Sequence, residues 1–118
     1  MVLGPTINLH RSPLAGRNFE CFSEDPLLAG RAAAAYVRGV QSRDVATTPK
    51  HLAGNEAELE RNTIDSVIDE RTLRELYLLP FEIAVADADA WSVMAAYNDV
   101  NGVPATEHDH VINGVLKG

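Results

Sequence analysis

The stretch Asp44-Val45-Ala46-Thr47-Thr48-Pro49-Lys50-His51 lies near the middle of the chain, and it decides how the whole sequence is interpreted. Its β-branched residues predict a short strand over residues 44–48, and Pro49 ends that strand because proline cannot donate a backbone hydrogen bond. Helical patterns lie on both sides of it. This alternation is typical of a parallel sheet with helical crossovers, in which Lys50 and His51 would stand just beyond a strand end.

The residues before this stretch predict a short first strand at residues 2–7, then a polar loop, then a helix from Pro26 to about Ser42. Asp25 suits the N-cap because its carboxylate can accept free backbone N–H groups, and proline is tolerated at the first helical position. Apolar residues recur at helical spacing in this segment, and we expect them to face the core: Leu28, Ala32, Ala35, Tyr36 and Val40.

A second helix is predicted from about Asp69, after a polar loop at residues 54–66. Pro80 interrupts it, so we expect a kink or two abutting helices. A third strand is predicted at residues 91–96, followed by a turn at Asn101-Gly102. Thr106 and Asp109 resemble a capping box that would start a last helix. The predicted inner face of the second helix consists of Leu73, Leu76, Tyr77, Phe81 and Ala84.

The fold class that follows is α/β, built from about three β/α units with right-handed crossovers. Three units cannot close a barrel, which needs eight units and about 250 residues, so the chain is either a small open sheet or a partial (β/α)8 barrel segment. The loops after the strands are long and polar, and in a barrel such loops form the active site. They therefore favour the barrel segment, with residues 1–118 as one domain fragment.

Composition excludes several classes of function. The chain has 118 residues with 46% hydrophobic and 23% charged residues, as a folded domain requires. The net charge of −7 argues against nucleic acid as a partner, since phosphates need a basic face. No apolar run reaches the roughly 18 residues that span a bilayer. Cys21 is the only cysteine, so an internal disulfide is excluded; a lone thiol weakly favours the cytoplasm, but the compartment stays open.

Basic residues in the strand-to-helix loops are the first candidates for a binding site. Arg17 offers five fixed donors suited to sugar hydroxyls or a carboxylate, although spacing alone favours a structural ion pair of Arg17 with Glu20. Lys50 and His51 could donate together to adjacent hydroxyls, but neighbours on a strand point to opposite sides. A non-proline cis peptide between them would let both face one ligand. The alternatives are a solvated lysine with a hydrogen-bonded histidine, or a Schiff-base lysine.

The end of the third strand and the loop after the second one add further candidates. The ring of Tyr97 could form one side of a binding site or simply pack at the edge of the barrel. Met94 is more typical of core packing than of ligand contact. Arg61 is the expected exception in a glutamate-rich loop that otherwise indicates a solvated face. His108 and His110 do not share a helix face, so no metal site is predicted and no cofactor is expected.

Several stretches, taken in order, resemble the amino-terminal barrel domain of glycoside hydrolase family 3, of the β-glucosidase and β-xylosidase type. The resemblance covers nearly the whole chain and is specific as an ordered set. Its motifs are Gly4-Pro5, Arg11-Ser12-Pro13, Gly16-Arg17-Asn18-Phe19-Glu20, Ser23-Glu24-Asp25-Pro26, Lys50-His51-Leu52-Ala53-Gly54-Asn55-Glu56, Arg71-Thr72-Leu73-Arg74-Glu75-Leu76-Tyr77-Leu78-Leu79-Pro80-Phe81 and Met94-Ala95-Ala96-Tyr97-Asn98.

The resemblance implies a retaining, exo-acting glycosidase that hydrolyses O-glycosyl bonds of a small β-glycoside or oligosaccharide through a glycosyl-enzyme intermediate. It also implies substrate-binding residues: Arg17, Lys50 and His51 would hold sugar hydroxyls, and Tyr97 would lie near the nucleophile. Arg61 and Met94 are added as further candidate substrate-binding residues. The loop after Lys50-His51 contains no histidine, which disfavours the hexosaminidase branch.

The resemblance also implies that no catalytic residue lies within the 118 residues. The nucleophile Asp and the acid/base Glu of the family belong to segments that this sequence does not match, so the remainder of the barrel and a second domain are expected as partners. We therefore expect no turnover from the isolated chain. The alternative from another class is a non-catalytic sugar-binding or structural remnant of the barrel.

Overall fold

The computed structural model describes residues 1–118 and arranges them as three successive β/α units. The first unit contains an extended segment at residues 2–7, a 3₁₀ turn at Asn18–Glu20 and helix α1 at Pro26–Gln41. The second contains strands β1 (Lys50–Leu52) and β2 (Asp65–Ser66), helix α2 (Glu70–Thr72), the π-helical segment π1 (Leu73–Leu78) and helix α3 (Leu79–Ala86). The third contains strands β3 (Met94–Ala95), β4 (Asp99–Val100) and β5 (Val103–Pro104) and the π-helical segment π2 (His110–Leu116).

Strand β1 lies between the other two units and is hydrogen-bonded on both sides. On one side, Ile7 N donates to Lys50 O at 2.8 Å, and parallel bridges pair Val2 with Thr47 and Thr6 with Lys50. On the other side, β1 pairs with β3 in parallel, and Lys50 lies opposite Met94. The predicted parallel α/β arrangement is thereby confirmed.

The predicted bounds of the strands were wrong in their detail. The middle strand is β1, so Lys50 and His51 lie within it and not beyond its end. Residues 42–44 instead complete the turn that leaves α1, because Asp44 N donates to Gln41 O and Asp44 adopts a positive φ of 56°. A left-handed aspartate of this kind is common in turns, and the strand pattern does not reveal it.

The capping prediction for α1 is confirmed, but the predicted buried face is wrong. Asp25 accepts from Leu27 N at 2.8 Å and from Leu28 N at 3.1 Å, and Pro26 is the first helical residue. Leu28 is 56% exposed and Tyr36 is 38% exposed. The buried residues of α1 are all small or β-branched, namely Ala29, Gly30, Ala33, Ala34 and Val37. The buried face of α1 therefore consists of the residues small enough to let another helix approach closely, and not of its most hydrophobic residues.

The second helical region consists of α2, π1 and α3, which follow one another without a break. Asp69 caps α2 by accepting from Thr72 N at 3.0 Å, and Pro80 lies in the first turn of α3, as expected for abutting helices. Four of the five residues predicted to face inward are buried, whereas Leu76 is 41% exposed. The wider π-helical turn between Leu73 and Leu78 shifts the register of this face, which explains the exception.

The last unit contains a hairpin that the sequence indicated only by its turn. Strands β4 and β5 pair antiparallel around Asn101 and Gly102, whose φ values are 52° and 79°, as a tight hairpin turn requires. Strand β2 pairs with β4 in parallel, so the loop predicted at residues 54–66 ends in a strand. The predicted capping box is wrong, since no side chain caps π2.

The core lies between the sheet and the helices. Gly30 of α1 faces α3, and a Cβ built there would lie 3.1 Å from Pro80 Cα and 2.6 Å from Ile83 Cδ1. The main cluster of buried side chains is Ile7, Leu9, Ala29, Ala33, Leu52, Ala53, Ile68, Leu73, Tyr77, Leu78, Phe81, Ala84 and Val111. No helix in the structure is both long enough and apolar enough to cross a membrane.

The two glycines of α1 provide a matched test of this packing. Gly30→Ala should lower the free energy of unfolding by about 1–3 kcal/mol, because the added methyl group overpacks the contact with α3. Gly39→Ala should raise it by about 0.5–1 kcal/mol, since nothing lies within 4 Å of the added carbon and alanine favours the helix. Urea unfolding of the full-length protein measures both, and equal effects would contradict the close approach of α1 to α3.

Candidate functional site

The structure brings the six predicted site residues into one continuous set of contacts, which we call the rim. The first β/α unit contributes one of them, the second contributes three and the third contributes two. The rim residues are Arg17, Lys50, His51, Arg61, Met94 and Tyr97. Their assembly was predicted from the sequence, and their role in binding a substrate stays a prediction.

Arg17 holds the centre of the rim. Its Nε donates to Glu20 Oε1 at 2.6 Å, and its Nη1 donates to His51 Nε2 at 3.1 Å. Glu20 also accepts from Thr6 Oγ1, which ties this pair to the first extended segment. The hydrogen bond to Arg17 lowers the pKa of Glu20 below its usual range, and the same bond raises the pKa of Arg17. The Arg17–Glu20 ion pair is therefore real, and it orients a guanidinium that also faces His51.

Glu58 is a functional candidate that the sequence analysis assigned to a solvated face. Its Oε2 accepts from Arg61 Nη1 at 2.7 Å, and its Oε1 lies 3.7 Å from Arg17 Nη1. Asn55 Nδ2 donates to the same Oε1 at 3.1 Å. One carboxylate thus holds two guanidinium groups from different units. The spacing of Glu58 and Arg61, three residues apart, was the only sequence signal for this pairing.

Arg61 links Glu58 to the aromatic side of the rim. Its guanidinium carbon lies 5.5 Å from the centroid of the Tyr97 ring, a distance that permits a cation–π interaction. Tyr97 is 57% exposed, so its ring presents an open apolar face beside the cations. Such a combination of a flat ring and hydrogen-bond donors suits a pyranose, which has apolar C–H faces and polar edges.

Lys50 and His51 are joined by a cis peptide bond, as the sequence analysis predicted for a pair facing one ligand. Lys50 is half-buried, and its ammonium makes no hydrogen bond or ion pair within the chain. Its three N–H donors are therefore available to a ligand. Met94 lies opposite Lys50 in the parallel pair of β1 and β3 and is also half-buried.

His51 is buried and neutral. Burial, with the neighbouring charges of Arg17 and Lys50, lowers its pKa to about 4. Removal of an imidazole from water disfavours the cation, and two adjacent cations oppose a third. At neutral pH, His51 thus adds hydrogen-bonding atoms to the rim without adding a charge.

Asn8 contacts His51 directly and Glu56 contacts Asn8. The sequence analysis predicted neither as a site residue. Asn8 is 4% exposed and contacts both the backbone and the ring of His51. Glu56 Oε1 accepts from Asn8 Nδ2 and from Leu9 N, each at 3.3 Å. Burial raises the pKa of Glu56 to about 7, despite these hydrogen bonds. Glu56 lies at the end of a quoted family motif and Asn8 lies between two of them, but nothing in their spacing indicated the contact.

Among the carboxylates and the imidazole at the rim, none is free for proton transfer or nucleophilic attack, and Lys50 is the one rim cation without a partner. Glu20 and Glu58 are both engaged by arginines, and the His51 nitrogens both have partners. No three side chains of the types that ligate metals converge anywhere in the structure. His110 Nε2 lies 3.0 Å from Glu70 Oε1, and the centroids of the His108 and His110 rings are 6.3 Å apart. Neither histidine contacts a rim residue.

Comparison with known proteins identifies the family. The family described as glycosyl hydrolase family 3 N terminal domain matches residues 1–118. The chain belongs to this family. The α/β fold is accordingly a segment of the amino-terminal barrel domain, and the open-sheet alternative is set aside.

Relatives that the chain matches carry beta-glucosidase names. The chain is 53% identical over 117 residues to a beta-glucosidase of Rhizobium radiobacter, and 52% identical over 118 residues to beta-glucosidase B of Emericella nidulans. These alignments cover 99% and 100% of this chain but only 14% of each relative. The structure of beta-glucosidase 3B from Thermotoga neapolitana in complex with glucose matches with a TM-score of 0.96 at 47% identity, over 98% of this chain and 16% of that one.

The raised pKa of Glu56 predicts a pH-dependent stability. Because the folded state holds the proton up to about pH 7 while the unfolded chain releases it near its ordinary value, wild-type stability should fall as pH rises through this interval. Glu56→Gln keeps an acceptor for Asn8 and Leu9 but does not titrate, so it should remove that part of the decline. Chemical denaturation of the full-length protein between pH 4.5 and 8 measures it, and parallel profiles for both proteins would contradict the prediction.

Proposed function

We propose that this chain is the sugar-binding part of a retaining, exo-acting β-glucosidase. The observation that carries the proposal is the assembly of Arg17, Lys50, His51, Arg61 and Tyr97 into one rim. The Lys50 ammonium is unpaired there, and Tyr97 is 57% exposed. The family membership and the names of the relatives support the same assignment. The substrate class is a small β-glycoside or oligosaccharide, of which the terminal sugar would rest on the rim.

The residues of the rim would bind and position the sugar rather than react with it. The free ammonium of Lys50 and the guanidinium groups of Arg17 and Arg61 would donate to sugar hydroxyls, and the Tyr97 ring would face the apolar side of the pyranose. Donors that are already oriented by Glu20 and Glu58 need no reorganisation as the transition state forms. The nucleophile Asp and the acid/base Glu would come from the rest of the protein, which the relatives' lengths imply.

The proposal is tested by comparing the full-length protein with the isolated 118-residue chain. The full-length protein should hydrolyse 4-nitrophenyl β-D-glucoside, and the isolated chain should not, because it lacks both carboxylates. Lys50→Ala in the full-length protein should lower kcat/KM by a factor that corresponds to roughly 2–4 kcal/mol, the scale of one lost transition-state donor. Turnover by the isolated chain, or unchanged kcat/KM in a folded Lys50→Ala protein, would overturn the assigned roles. A full-length protein that binds glucose without turnover would favour a sugar-binding remnant.

Glu58 provides a second prediction, with Glu60 as its matched control. Glu58→Gln removes the charge that holds Arg17 and Arg61, and kcat/KM should fall about ten-fold, as expected for lost hydrogen bonds to charged groups. Glu60→Gln removes the same charge from the neighbouring exposed position, whose side chain makes no ion pair. Steady-state kinetics on both proteins decides the matter, and equal kcat/KM values would show that the bridge does not orient the arginines.

A further inference from the structure

The carboxamide of Asn8 lies at the base of the rim and makes four hydrogen bonds, which use both of its polar atoms. Its Oδ1 lies 3.0 Å from His51 N and 3.0 Å from His51 Nδ1. Its Nδ2 lies 3.1 Å from His51 O and 3.3 Å from Glu56 Oε1. Asn8 belongs to the first β/α unit and His51 to the second, so this contact joins the two units.

The backbone of His51 determines which end of the Asn8 amide is oxygen. A backbone N–H can only donate and a carbonyl oxygen can only accept, so the atom facing His51 N must be Oδ1 and the atom facing His51 O must be Nδ2. The opposite orientation would leave two buried backbone groups facing like partners, at a considerable cost in stability. The assignment thus needs no assumption about the protonation of His51 or Glu56.

This orientation determines the tautomer of His51. Because Oδ1 of Asn8 can only accept, the ring nitrogen Nδ1 must carry the proton. On the other side of the ring, Arg17 Nη1 can only donate, so Nε2 must present its lone pair. Two independent neighbours therefore select the same state, a neutral imidazole protonated on Nδ1.

We propose that Asn8 is a positioning residue which fixes His51 as the neutral Nδ1–H tautomer, so that Nε2 accepts the hydrogen bond of Arg17 at the rim. The inference deepens the proposed function and rests on it only for its consequence, which is that a sugar hydroxyl taking the place of Arg17 Nη1 at Nε2 must donate to it. Arg17 and Lys50, in contrast, can only donate to the sugar. The rim would thus distinguish hydroxyls by their role as donor or acceptor.

Charged groups around His51 come from every element that packs against it. Cations oppose its protonation and carboxylates favour it, and the Glu56 carboxylate is hydrogen-bonded to the Asn8 amide rather than to the imidazole. The charged groups are Arg17, Lys50, Glu20, Glu58 and Glu56. Asn8→Asp would place a negative charge directly against Nδ1 and would remove the donor to His51 O, so it should favour the imidazolium.

The first test does not depend on catalysis. In the full-length protein labelled with ¹⁵N-histidine, the His51 signal, assigned by its loss in His51→Gln, should show the proton on Nδ1. The midpoint for deuterium exchange at His51 Cε1, followed by mass spectrometry, should lie below the ordinary histidine value of about 6.5. Asn8→Asp should raise this midpoint by about one pH unit or more, which is a ten-fold change in protonation.

Asn113→Asp is the matched control, because it makes the same chemical change at an exposed position on π2. It should leave the midpoint of His51 at the wild-type value. A proton on Nε2 in the wild-type protein would overturn the proposal, and this measurement stands even where Asn8→Asp fails to fold. A folded Asn8→Asp protein with an unchanged midpoint would overturn it as well.

The second test measures function. With 4-nitrophenyl β-D-glucoside, Asn8→Asp should lower kcat/KM about ten-fold or more and shift its pH profile, since the rim loses an acceptor and gains a titrating group. Asn113→Asp should retain the wild-type profile. If His51 titrates as expected but Asn8→Asp leaves the profile unchanged, the positioning role is overturned. If the wild-type protein hydrolyses no glucoside, the proposed function fails, while the tautomer measurement still decides the role of Asn8.

Discussion

The hydrogen bonding of β1 on both sides is the constraint on which the rest of the structure depends. Lys50 N donates to Pro5 O at 3.0 Å on one side, and Ala96 N donates to Leu52 O at 2.7 Å on the other. These bonds fix the register of three chain segments that are remote in sequence. Because parallel strands bring their carboxyl ends to one edge, the loops that follow them meet there, and so do the side chains of the rim.

Electrostatic balance explains why so many cations can lie together at that edge. Arg17 and Arg61 share the carboxylate of Glu58, and Arg17 also binds Glu20, so the two guanidinium groups are matched by two carboxylates. His51 stays uncharged, which avoids a further cation beside Arg17. Lys50 alone lacks an ionic partner. The arrangement leaves one unpaired charge to meet a ligand, while the two guanidinium groups are held by carboxylates.

Local signals in the sequence predicted the order of the elements, the cap at Asp25 and the turn at Asn101-Gly102, because each depends on residues adjacent in the chain. The family motifs predicted which side chains would form the rim. The buried face of α1 was missed because its partner, α3, lies about fifty residues away in the sequence. The two helices pack so closely that only small residues fit between them. Asn8 was missed for the same reason, since its partner His51 is forty-three positions later.

The contacts of the rim cross the boundaries between successive β/α units, and this limits how the sequence can be recombined. Asn8 and Arg17 from the first unit grip His51 and Glu58 from the second, and Arg61 of the second stacks on Tyr97 of the third. A crossover point between units, in gene shuffling or in evolution, would separate partners that must match atom for atom. Change in this region is therefore expected to proceed by point substitution, or by exchange of the whole segment at once.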